Sequence, residues 1–202
     1  MRPSIGGSRK AGYAGIKMIE EVTLGAPCCL VAVPQLGDRQ FLRSVIFLIE
    51  HNAQGSMGLV INKPGSLSFG DFFGSQNMTY TGDPQALLCE GGPVQPERAF
   101  LLHSGPPVGP ESEEVVRGLQ LSYSMESLGV LAQRPPDHFR VYLGYTGWGP
   151  GQLAEELSVG AWLVGDADPR YVFHQNAQLV WEASLRNMGI DPVLLMHSGV
   201  LH

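Results

Sequence analysis

The sequence predicts a mixed α/β fold of the α+β kind, and three observations carry that expectation. Strand-like apolar runs outnumber helix-like stretches along the chain of 202 residues. Some of those runs return through short turns as antiparallel hairpins, while others alternate with helical segments. Glycine (26) and proline (15) are both abundant, which multiplies turns and keeps helices short. No internal repeat and no linker divides the chain. One domain over residues 24–202 is therefore expected, with room for a smaller α+β lobe.

The elements follow in order. Residues 1–23 begin with a basic, small-residue-rich segment too polar for a secretory signal, and they read as a disordered extension. "CCLVAVPQLGD" (28–38) opens with an apolar run that stops at Pro34, a first strand. "SVIFLIEH" (44–51) is almost continuously apolar and rich in β-branched residues, as a strand buried on both faces should be. "NAQGS" turns the chain, and "MGLVINKP" (57–64) returns as the hairpin partner, ending at Pro64. A short helix follows within 66–73, with Ser66 or Ser68 as its cap. "ALLCEGGPV" (86–94), "RAFLLHSG" (98–105) and "GLQLSYS" (118–124) read as strands, separated by an acidic, proline-containing excursion over 106–114. Met125, Leu128 and Leu131 fall at helical spacing behind Ser124, a second short helix. Residues 138–146 form a strand that runs into "GYTGWGPGQLAEEL" (144–157). There Pro150 suits the first helical position, Leu153 and Leu157 share a face, and Gly160 closes the helix. "AWLVG" (161–165) is a strand and residues 166–173 a turn and approach. The last helix is the best marked: Ala177, Val180, Trp181, Ser184, Leu185 and Met188 lie on one stripe, with Gly189 and Pro192 after it.

Composition excludes several function classes. The apolar fraction of 44% is that of an ordinary globular protein. No run approaches the roughly 18 apolar residues of a membrane span, so no membrane role is expected. Net charge is −6, but the first 17 residues hold four bases and no acid, leaving nine bases against nineteen acids in the rest. So acidic a body is a poor match for nucleic acid. Cys28, Cys29 and Cys89 are odd in number and two are adjacent, which suits reduced, buried thiols in a cytoplasmic protein better than a disulfide framework.

Catalytic signatures are missing. There is no GxxxxGK[ST], HExxH or GxSxG, and position 152, where a phosphate loop would need lysine, is Gln. The glycines of 144–151 still admit two readings. Backbone N–H groups of Gly147, Gly149 and Gly151 beside Gln152 could cradle an anion at a helix start, or the glycines could serve a tight strand-to-helix turn alone. Trp148 could stack on a ligand or plug the core beneath that turn. Glu50 and His51 pair a carboxylate with an imidazole, yet neighbours on a strand point to opposite faces. Arg43 could hold an anion or fix its own loop through Asp38 or Glu50. Ser44, Ser104 and Cys89 are conceivable nucleophiles without an activating context. The six histidines show no ligand spacing, so no metal and no cofactor is expected.

Four stretches together resemble one family. They are "AVPQLGDRQFLRSVIFLIEHNAQGSMGLVINKP", "CEGGPVQPERAFLLHS", "LGYTGWGPGQLAEEL" with "AWLV", and "WEASLRNMGID". In this order they resemble the bacterial YqgE/AlgH family from about Leu24 to Asp191. The resemblance implies a cytosolic protein with a bifurcated, largely antiparallel sheet forming a partly closed, barrel-like body with flanking helices. It implies no established molecular activity, although some members carry a transcriptional-regulator label. The matched positions make Asp38, Arg43, Glu50, His51, Asn62 and Trp148 the candidate functional surface. Gly147, Gly149, Gly151 and Gln152 form the candidate anion-binding loop. This chain departs from the pattern at Ile49, where members often carry Cys, at Val33 in place of Met, and in its tail. Three readings follow: a non-enzymatic binding or regulatory protein with an unknown protein partner, a small-anion or nucleotide-binding protein or enzyme, and a DNA-binding regulator disfavoured by charge. The second requires Arg43, His51 and the glycine loop to converge. Oligomeric state is not encoded in any motif.

Overall fold

The computed structural model describes residues 24–197. The expected N-terminal extension, residues 1–23, lies outside them, as does the end of the tail. At the centre of the fold is the hairpin the sequence announces. Strand β2 (Val45–Asn52) turns at Ala53–Gln54 into β3 (Gly55–Val60). The turn is shorter than "NAQGS" suggested, because β3 already begins at Gly55. On the far side of β2 lies β1 (Cys28–Ala32), and beyond it β10 (Trp162–Gly165), both antiparallel.

The long strand β9 (Phe139–Trp148) divides the sheet. Along one edge it pairs with β6 (Val94–His103). Along the other it changes partner half-way. Its last residues pair antiparallel with β3, from Thr146 to Trp148, and its earlier ones pair parallel with β5 (Leu87–Glu90) at Tyr142 and Leu143. Gly144 sits at the change, with φ +68°, packed on the carbonyl of Gly92 where a Cβ would have no room. Strand β4 (Pro64–Ser68) flanks β5; β8 (Leu119–Ser122) and β7 (Glu113–Val116) complete the edge beyond β6. The sheet is therefore bifurcated and largely antiparallel, and it curls into a partly closed half-barrel.

Burial explains the layers. β2 alternates between two cores: Val45, Phe47 and Ile49 face one, Ile46 and Leu48 the other. The first core spreads over one face of the whole curl, through Phe100, Leu102 and Tyr142, beneath α5 (Ala177–Asn187), which contributes Val180, Trp181 and Leu185. The opposite face is split in two. Over β1–β3, Trp148, Leu153 and Trp162 are covered by α3 (Gln152–Ser158) and a 3₁₀ turn at Arg39–Phe41. Over β5, β6 and β9, the helices α1 (Phe69–Ser75) and α2 (Met125–Gln133) enclose a further core with Phe73, Leu88, Leu101 and Leu131. Ser68 and Ser124 cap those helices, each hydroxyl accepting a backbone N–H three residues on.

Several boundaries differ from expectation. Pro150 lies in a turn, and α3 starts at Gln152 behind Gly151, whose φ of +77° no proline-led start provides. β9 runs on to Trp148. Two short helices, α4 (Pro169–Val172) and α6 (Pro192–His197), stand where a turn and a tail were read. Strand β7 occupies the end of the acidic excursion. Each of these is too short to show a period.

Candidate functional site: the mouth of the half-barrel

The candidate residues separate into two groups at opposite ends of β2. Seven residues of strand between Arg43 and Glu50 span about 23 Å. At the near end, Asp38 caps the 3₁₀ turn, accepting the N–H of Gln40 at 2.8 Å. Arg43 has φ +52°, its guanidinium lies 5.3 Å from the Trp181 ring, and it approaches the Met196 sulfur at 2.9 Å. Asn62 is buried beside it. Its Oδ1 accepts the Val45 N–H and its Nδ2 donates to the Arg43 carbonyl, both at 2.8 Å. Asn62 thus clasps the strained backbone at Arg43 to the end of β3. Neither Asp38 nor Glu50 pairs with Arg43, contrary to one reading of the sequence.

The far end gathers the rest. His51 Nδ1 and Ser56 Oγ lie 2.7 Å apart across the hairpin. Glu50 faces Met57 across the same hairpin, and the Leu48–Glu50 bulge at Ile49 re-aims it. Ser56 and Met57 pair with Trp148 and Gly147 of β9, so the glycine loop is bonded to this hairpin and lies away from Arg43. The three-way convergence required by the small-anion reading does not occur.

The loop's own bonding is largely internal. Gln152 Oε1 accepts the Gly149 N–H at 3.1 Å, and the Gln152 N–H donates to the Gly149 carbonyl at 3.1 Å. Gln152 Nε2 donates to Glu156 Oε1 at 3.0 Å, while Glu156 Oε2 accepts both indole N–H groups, Trp148 at 2.9 Å and Trp162 at 2.7 Å. Trp148 is only 6% exposed and meets Trp162 edge to face.

Glu50, Met57, Tyr145, Gly147 and Trp148 line one cleft of about 670 Å³, the mouth, bordered by the β2–β3 hairpin, the end of β9 and strands β6, β8 and β7. Its other wall adds residues outside the candidate functional surface. The Arg98 guanidinium lies 5.0 Å from the ring of Phe100 and 5.3 Å from that of Tyr123. Tyr145 meets Phe100 edge to face at 5.9 Å. Glu113 of β7 lines the same cleft, so two carboxylates, Glu50 and Glu113, share it with the Arg98 cation. The spacing of Arg98 and Phe100, two apart on a strand, was a legible signal that both occupy one face. The arrival of Tyr123 and Glu113 depends on the β6–β8–β7 pairing, which no local pattern carries.

Among the described residues, the one hydroxyl–imidazole pair at this cleft is Ser56 with His51, and Ser56 is only 9% exposed. Cys89 lies elsewhere, and burial pushes its thiol up to about 11. Burial pushes Cys28 to about 11 and Cys29 to about 12. Ser44 is fully buried with its hydroxyl unpaired, and Ser104 Oγ donates weakly to the His138 carbonyl at 3.4 Å. His103 is buried too, which holds its imidazole below the ordinary range. Among the described residues no cluster of His, Cys, Asp or Glu could hold a metal ion, and no helix is long and apolar enough to cross a membrane.

Comparison with known proteins agrees with this architecture. The sequence pattern described as AlgH-like matches residues 29–193. The chain belongs to the AlgH-like family. A UPF0301 protein of Myxococcus xanthus is 41% identical over 172 residues, covering 85% of this chain and 94% of that one. One from Ruegeria pomeroyi is 39% identical over 173 residues, covering 84% and 94%. The solution structure of the AlgH protein from Pseudomonas aeruginosa superposes with a TM-score of 0.71 at 34% identity, over 83% of this chain and 90% of that one. A crystal structure from Corynebacterium diphtheriae gives 0.67 at 25% identity, over 84% and 90%. The half-barrel with its flanking helices is thus the AlgH-like fold.

Proposed function

We propose that this AlgH-like protein is a non-enzymatic binding protein that recognises a protein partner at the mouth of its half-barrel. The observation that carries this reading is the Arg98 guanidinium held between Phe100 and Tyr123, in a cleft lined also by Glu50 and Glu113. Arginine and tyrosine are the residues on which protein interfaces concentrate binding energy. Stacking fixes the guanidinium in advance and lowers the ordering entropy lost on binding. The two carboxylates of the lining favour a partner with basic and apolar groups and disfavour a free polyanion. The Gln152 amide that already occupies the Gly149 N–H supports a structural role for the glycine loop.

The test is site-specific photocrosslinking in cells that make the protein. A photoreactive residue at Tyr123 is expected to trap one discrete partner, and Arg98→Ala should abolish that adduct without shifting the unfolding midpoint. The same residue at Leu179, exposed on α5, should trap nothing comparable. Equal adducts at both positions, or an adduct insensitive to Arg98→Ala, would remove the mouth as the recognition surface.

A further inference from the structure

A second cleft lies at the other end of β9, between α1 and α4. We infer that it binds a small aromatic monocarboxylate, with Arg140 pairing its carboxylate. The cleft has a volume of about 910 Å³, within the range of about 300–1,000 Å³ common for small-ligand sites. Its walls are aromatic. Phe69 stacks on Tyr80 at 5.1 Å and meets Phe139 edge to face at 5.7 Å, while the His138 ring lies 5.9 Å from Phe173. A flat ring entering this space meets ring faces and edges already in place.

Arg140 supplies the polar anchor. It lines the cleft half-buried, and its one hydrogen bond runs from Nη1 to the carbonyl of Phe139 at 3.1 Å. The ion pairs among the described residues are Arg170–Asp168 and Arg186–Glu182, so Arg140 has no carboxylate partner there. A guanidinium offers five donors in a planar fork that fits a carboxylate bidentately. Its free donors are within reach of solvent, and a ligand carboxylate would take the place of water on them.

The rim decides the ligand's charge. Asp83 and Asp137 line the cleft and repel a dianion or polyphosphate. Arg170 also lines it, but its guanidinium is already bound to Asp168 and adds no net positive charge. Arg140 is the one guanidinium of the lining without a carboxylate partner, so a ligand's single carboxylate would be seated there.

The experiment is calorimetric titration of the full chain with benzoate and indole-3-carboxylate, against benzamide, cyclohexanecarboxylate and phenyl phosphate. Benzoate or its indole counterpart should bind at least about tenfold more tightly than each of the other three, a difference of about 1.4 kcal/mol. Arg140→Gln should remove that preference, and amide resonances of His138–Tyr142 and Phe173 should shift on binding while those of the mouth do not. If Arg140→Gln fails to fold, Arg140→Lys, which keeps the charge without the fork, should weaken benzoate while leaving benzamide unchanged. Benzamide binding as well as benzoate, phenyl phosphate binding best, no binding by either aromatic carboxylate, or an unchanged Arg140→Gln would each overturn the proposal.

Discussion

Asn62 shows how a candidate functional residue can serve the fold alone. Its amide spends both ends on backbone, accepting from Val45 and donating to the carbonyl of Arg43. A non-glycine residue at φ +52° costs roughly 1–2 kcal/mol, so the backbone at Arg43 needs such a clasp. Removing the side chain leaves a buried N–H and a carbonyl without partners. Asn62→Ala is expected to lose about 1–3 kcal/mol. For a chain of this size each kcal/mol lowers the unfolding midpoint by roughly 2–4 °C. Calorimetry would read this directly, and a midpoint unchanged within about 1 °C would show that Asn62 is kept for something other than the fold. Asp38 follows the same logic on a smaller scale, because its carboxylate caps a 3₁₀ turn. Arg98 and Arg140 differ from both: their guanidinium groups face clefts and carry no carboxylate partner among the described residues.

Helix α3 poses the question of elements. Seven residues without a side-chain cap do not hold a helix in water, so its stability must come from tertiary contacts. Leu153 and Glu156 provide them, three residues apart on one face, the first buried in the core and the second accepting two indole N–H groups on a single oxygen. Glu156→Ala should strand both indoles, at about 1–3 kcal/mol for each unsatisfied group, and change the near-ultraviolet dichroism of Trp148 and Trp162. Glu156→Gln, which keeps one acceptor oxygen, should lose less. A Glu156→Ala protein with native dichroism and stability would show that Leu153 suffices. The same helix marks the limit of what the sequence discloses. An almost continuous, β-branched apolar run made β2 legible as a doubly buried strand, and Ser68 and Ser124 announced their helices, because those signals are local. The glycine loop stayed ambiguous because its answer lies in the Gln152 side chain folding back on Gly149. Strand β7 and helices α4 and α6 were missed because four to six residues carry no period and owe their conformation to neighbours. Half of the mouth was legible, Glu50 and Trp148 from motif and Arg98 with Phe100 from alternation. Tyr123 and Glu113 arrive only through pairing distant in sequence.

At the scale of the molecule, β9 joins everything. Its two faces belong to different cores, its two halves to different strand partners, and its two ends to different clefts. Arg140 near its start lines the aromatic cleft, and Tyr145 to Trp148 near its end line the mouth. Charge decides what such a body can meet. The chain carries nine bases against nineteen acids beyond residue 17, and among its cations Arg98 and Arg140 stand in clefts lined by carboxylates while Arg170 and Arg186 are paired. Nucleic-acid affinity grows with the number of phosphates neutralised together, and isolated cations surrounded by acids release few counterions. The full chain is therefore expected to leave a random DNA duplex unretarded in a gel at low salt, where non-specific electrostatic binding is strongest. A retarded band that disappears as salt is raised would contradict this, and would require the four bases of the first 17 residues to outweigh the acidic body. Without such a band, an effect of this protein on gene expression would have to pass through a partner bound at the mouth or a small molecule bound at Arg140. The Arg98→Ala and Arg140→Gln variants separate those two routes, because the clefts share β9 but no lining residue.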